Sequence, residues 1–112
     1  MLFASFSLVI MVEETLVLGG NIELTGFRDV DRSSLVIVKK LVGNYARKFN
    51  ETSSDFEKLS LHLKTLNESK TRFELHGKLV SEGNPVVAME SDFNLFFVID
   101  RTLKKIEGQL HR

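Results

Sequence analysis

The residue types in this chain that could do chemistry are three histidines, of which His111 sits at the C-terminal end, and a scattered set of lysines and arginines. His62 and His76 each alternate with apolar neighbours, so both read as outward positions on strands that can meet across a hairpin. A metal site there would need further ligands, and Glu74 is the one nearby carboxylate on that face. A solvated histidine pair is the simpler reading, and no metal or other cofactor is expected. Gly19-Gly20 lacks the spacing and the lysine of a phosphate-binding loop, and no nucleophile elbow is present. The chain contains no cysteine, which excludes disulfides, thiolate metal sites and a cysteine nucleophile. These residues point away from an enzyme.

The cations form a second constellation. Arg28, Arg32, Lys39, Lys40, Arg47 and Lys48 lie on or beside one predicted helix, and Arg101, Lys104, Lys105 and Arg112 on another. Affinity for phosphate comes largely from counterions released by Lys and Arg. Cationic ridges on two helices suit structured RNA, which is recognised by shape and backbone position. The 15 basic and 15 acidic residues give zero formal charge, so distribution matters more than the sum. On charge alone the same residues serve equally as solvated helix faces. Val36, Phe93 and Phe97 fall off the apolar stripes of their segments. They either pack at the core edge, in the groove between the helices, or present a contact for a partner or a second copy.

The elements that must position these groups follow from hydrophobic period. At 112 residues there is room for one domain and one core. Leu16–Phe27 reads as a first strand, with Leu16, Leu18, Ile22 and Leu24 on one parity and Gly19-Gly20 marking a bend or bulge. After a turn at Arg28-Asp29-Val30, Asp31 is a suitable N-cap for a helix to about Phe49. Its stripe is Leu35, Val38, Leu41/Val42, Tyr45 and Phe49. Asn50–Asp55 reads as a loop. Leu59, Leu61 and Leu63 alternate with polar residues in a second strand. Phe73, Leu75, Gly77 and Leu79 do so in a third, across a turn at Asn67–Lys70. Glu82-Gly83-Asn84-Pro85 turns into a fourth strand, Val86–Glu90. Ser91 or Asp92 caps a last helix with the stripe Phe96, Ile99, Leu103, Ile106 and Leu110.

The expectation is an α+β fold of order β-α-β-β-β-α, with two helices on one face of a four-stranded, mostly antiparallel sheet. The opposite face would carry Lys58, His62, Lys64, Arg72, His76 and Lys78. Residues 1–10 hold the apolar run Leu2, Phe3, Phe6, Leu8, Val9 and Ile10. It is too short to span a bilayer, and no membrane partner is expected. The preferred reading takes Met11 as the natural start, with residues 1–10 an upstream apolar extension and 11–112 a single α+β domain. An extra edge strand is the second reading, and a signal peptide, lacking its basic start, the third.

Two stretches carry a family resemblance. Ile22-Glu-Leu-Thr-Gly26, then Val30-Asp31 and a helix ending Tyr45-Ala-Arg-Lys-Phe49, resembles the start of the ribosome hibernation-promoting factors, also called ribosome-associated inhibitor A or protein Y. Ser91-Asp-Phe-Asn-Leu-Phe-Phe-Val-Ile-Asp100, with Leu103, Lys105, Ile106 and Gln109-Leu110, resembles that family's last helix. The likeness spans about Ile22 to Leu110 and is to the short form. It implies the same fold and a cytoplasmic, ribosome-associated protein with no enzymatic activity. It also implies translation regulation by hibernation, with the small-subunit decoding channel blocked. The RNA-contacting residues it implies are Lys39, Lys40, Arg47, Lys48, Arg101, Lys104 and Lys105, and the partner is the small ribosomal subunit or a structured RNA. The alternative is a protein-interaction or homodimerising module that uses Val36, Phe93 and Phe97. The chain departs from the family in its neutral charge, its apolar Leu35-Val-Ile-Val38 and its Gly83-Asn84-Pro85 connection.

Overall fold

The computed structural model describes residues 15–52, 56–67, 69 and 71–110. The expected apolar extension, residues 1–10, lies outside the described residues. The elements are β1 (Thr15–Leu18), β2 (Ile22–Thr25), α1 (Arg32–Thr52), β3 (Lys58–Thr65), β4 (Phe73–Ser81), β5 (Asn84–Asp92) and α2 (Leu95–Leu110). The strands form one five-stranded sheet in the order β1-β2-β3-β4-β5. Only β2 and β3 run parallel, joined through α1. The other neighbours are antiparallel.

The fifth strand corrects the expected single strand Leu16–Phe27. The chain reverses at Gly19 and Gly20, whose φ angles of 62° and 91° suit glycine. Leu16 then faces Leu24, and Leu18 faces Ile22. A hairpin in this register keeps all four on one face, so their shared parity fits one long strand or two short ones equally well.

Asp31 caps α1 as expected. Its Oδ2 accepts from the Ser34 N–H at 3.2 Å and from the Ser33 hydroxyl at 2.8 Å. Hydrogen bonding from the side chains of Ser34 and Ser33, and then from the Ser34 N–H, lowers its carboxyl from 3.8 to about 2. The helix continues to Thr52, past the expected end near Phe49. Asn50 and Glu51 are polar but include neither Gly nor Pro, and polarity alone does not stop a helix. Beyond it, buried Phe56 meets Phe49 edge-on, with centroids 6.3 Å apart, and returns the chain to β3.

α2 starts one turn later than Ser91 or Asp92 would set. β5 runs through Asp92, pairing Ser91 with Glu74 and Asp92 with Phe73. The cap falls to Asn94, whose Oδ1 accepts from the Phe97 N–H at 3.0 Å. Asp92 acts one step earlier and accepts from the Asn94 N–H at 3.1 Å.

One core joins both helices to the same sheet face. Val38, Val42 and Phe49 of α1, Leu24, Leu59, Leu75 and Leu79 of the sheet, and Ile99, Leu103 and Ile106 of α2 are fully buried. Burial of each such side chain contributes on the order of 1.5–3 kcal/mol, so packing rather than helix propensity holds these elements. α2 comes very close to β4 at Gly77. A Cβ there would lie 2.9 Å from Thr102 Cγ2 and 3.1 Å from Ile106 Cδ1. Leu61 and Ala88 flank Gly77 in register, and Ala88 packs against the core beside it. Thr102, buried at this crossing, satisfies its hydroxyl on the Val98 carbonyl at 2.7 Å.

Candidate nucleic-acid interface

The stripe of α1 that enters the core leaves an opposite face in water. Lys39, Lys40, Arg47 and Lys48 are all exposed; helical spacing sets Lys40 and Arg47 opposite the stripe and Lys39 and Lys48 on its two flanks. Lys39, Lys40 and Arg47 form no ion pair with any described residue. Lys48 lies over the Tyr45 ring at 5.0 Å from its centroid, which steadies the stem without neutralising the charge. Five cations, Arg32 included, against the one carboxylate Glu51 make this 21-residue helix locally positive.

The cations of α2 have another setting. Arg101 bridges Glu90 at 3.2 Å and Asp92 at 2.8 Å. Lys105 pairs with the other oxygen of Glu90, and Lys104 lies 3.5 Å from Asp100 one turn back. The reason is register. Val86 and Ala88 of β5 point toward the helices and pack on the core, so Glu90 and Asp92, on the same parity, point there too. An acidic pair on the helix side of an edge strand meets Arg101 and Lys105, one turn apart on the helix packed above. The expected pair of cationic ridges becomes one on α1, whose cations pair with no carboxylate among the described residues, and one on α2 matched by carboxylates. Glu90 and Asp92 were the partners that sequence reading missed. The signal for them was the parity they share with Val86 and Ala88.

Tyr45 ties the two helices together. Its hydroxyl donates to Asp100 Oδ1 at 2.8 Å. Burial, then the adjacent Asp100 carboxylate, raises the phenol above its ordinary range.

Val36, Phe93 and Phe97 do not fill a groove between the helices. They are 51%, 62% and 60% exposed. Tyr45 with Asp100 and the core residues occupy the helix–helix contact instead. Phe93 has the Arg72 guanidinium over its ring at 5.0 Å. His62 and His76 do stand directly opposite each other on β3 and β4, with Glu74 3.5 Å from His76 Nε2. Among the described residues no group of three or more His, Cys, Asp or Glu side chains could hold a metal ion. No helix among them is long and apolar enough to cross a membrane.

No protein-family model matches the chain, and no curated protein matches it. Solved structures do. The N-terminal domain of Thermus thermophilus protein Y superposes with a TM-score of 0.55 at 19% identity, over 66% of this chain and 79% of that one. A ribosomal subunit interface protein from Coxiella burnetii superposes with a TM-score of 0.57 at 13% identity, over 74% of this chain and 84% of that one. The class these define is a fold, two helices on one face of a mixed sheet. It is the fold that the resemblance of Ile22–Gly26 and Ser91–Asp100 implied.

Proposed function

We propose that this protein is a non-enzymatic, RNA-binding domain that docks on the small ribosomal subunit and occludes its decoding channel, holding idle ribosomes inactive. The observation that carries the reading is the set of exposed cations Lys39, Lys40, Arg47 and Lys48 on α1, none of which pairs with a carboxylate among the described residues. The fold shared with a protein Y domain and a ribosomal subunit interface protein supports the choice of partner. In this reading α1 supplies the phosphate contacts and the rest of the domain supplies bulk. Arg101, Lys104 and Lys105 act mainly within the fold. A cytoplasmic location follows from the partner.

Co-sedimentation with small ribosomal subunits across a salt series tests this. If about four phosphates are contacted, the slope of log K against log salt is roughly −3 to −4; if all seven cations take part it is about −5 to −6. Neutralising Lys39 and Arg47 together is expected to reduce the slope by about 1.5–2, whereas Arg101→Ala leaves it unchanged. Absence of binding at low salt would sink the proposal.

The exposure of Val36, Phe93 and Phe97 favours a second reading, a homodimer or protein-interaction module. Light scattering on a size-exclusion column separates the two: a strict monomer at high protein concentration removes the homodimer.

A further inference from the structure

The side of the sheet away from the helices carries a surface that RNA binding by α1 does not use. Since Val86 and Ala88 face the core, the alternate residues of β5 face outward. Val87 is 60% exposed and Met89 51%, and Phe93, 62% exposed, continues their line just past the strand. Arg72 fixes Phe93 on this side, with its guanidinium over the ring at 5.0 Å and Nη2 donating to the Ser91 hydroxyl at 3.2 Å. The result is an apolar ridge along β5. From Val87 to Phe93 it is roughly 20 Å long, at about 3.3 Å per residue. Beside it runs a basic band. Lys78 stands opposite Val87 and His76 opposite Met89, with Arg72 at the far end. On the next strand, Lys64 stands opposite Glu74, the half-buried acid of this patch, which is within 3.5 Å of His76.

We infer that this face docks an acidic amphipathic helix of a partner polypeptide, laid along β5. The two halves of the surface select that chemistry together. Phosphodiester chains would satisfy Arg72 and Lys78 but offer nothing to the aliphatic Val87 and Met89. An acidic helix presents both, with an apolar stripe for the ridge and flanking carboxylates for the band. A helix of about 14 residues matches the ridge length at 1.5 Å per residue. Met89 adapts its unbranched side chain to the stripe it meets. Strand addition at β5 is disfavoured by the edge itself. Pro85 has no N–H, and the Val87 carbonyl accepts from Gln109 Nε2 at 2.9 Å. The partner therefore lies on the face and not along the rim.

The test is a methyl and amide NMR titration of the whole protein with a synthetic 14-residue helix bearing a leucine stripe flanked by glutamates, beside a matched peptide with lysines in place of the glutamates. The expected result is shifts at Val87, Met89 and the amides of β4 and β5, none at Val36, and at least tenfold weaker binding of the lysine peptide. Met89→Glu, a surface change, is expected to abolish the shifts while the remaining amide spectrum stays as in the parent. Equal binding of both peptides, shifts confined to α1, or no shifts overturn the inference. So do the same shifts produced by oligouridylate alone, or by raising the protein concentration alone.

Discussion

At the scale of single residues, Asp31 and Tyr45 make opposite use of a hydrogen bond to a carboxylate. Asp31 accepts from Ser34 and Ser33 and is held near 2, below its ordinary 3.8. A carboxyl lowered on folding stabilises in full only above its unfolded value. The capping contribution is therefore complete above about pH 4 and drains away as pH falls toward 2. An Asp31→Asn variant keeps an oxygen acceptor but loses this titration. Thermal melts from pH 5 to 2 should show a shallower acid decline for the variant than for the parent. Tyr45 is the reverse. Its phenol is raised, so its contribution holds below the ordinary tyrosine value and is lost as pH climbs beyond it. Tyr45→Phe should cost about 1 kcal/mol in urea denaturation at neutral pH, the usual net worth of one hydrogen bond. Asp100, half-exposed, regains water when the phenol is gone, which limits the loss. The stripe spacing placed Tyr45 in the core, but no local pattern joins it to a residue 55 positions away.

At the scale of elements, what could be read in advance was set by whether a feature is periodic. Val38, Val42, Tyr45 and Phe49, and Ile99, Leu103 and Ile106, repeat at helical steps, and both helices form where their stripes predict. Leu59, Leu61 and Leu63 likewise mark β3. The β1–β2 hairpin escaped because its register preserves parity across Gly19-Gly20. The start of α2 escaped because Ser91 and Asp92 are good caps locally, yet the ladder with β4 claims them first. The β4–β5 turn shows a residue under local strain: Glu82 has φ 53°, followed by Gly83 at 78°. Two positive φ angles mark the two-residue turn for which Asn-Gly is the favoured pair. Glu82→Asn should raise stability by about 1 kcal/mol, seen as a higher denaturant midpoint at unchanged slope.

For the whole molecule, a formal charge of zero hides an uneven division. The legible part of the candidate site was that Lys39, Lys40, Arg47 and Lys48 lie away from the α1 stripe and are exposed. The illegible part was which cations are already matched, since Glu90 and Asp92 reach Arg101 and Lys105 only after β5 and α2 are packed. The strand order carries one more consequence. β3, β4, β5 and α2 are neighbours in sequence as well as in space, so short loop closures assemble them. β1 and β2 attach to that body through the parallel seam with β3, which closes only after the long excursion through α1. That order predicts a quickly zipped meander with a late-arriving flap. Deuterium should enter the β1 and β2 amides well before those of β4, with the seam opening as a unit while the meander stays shut.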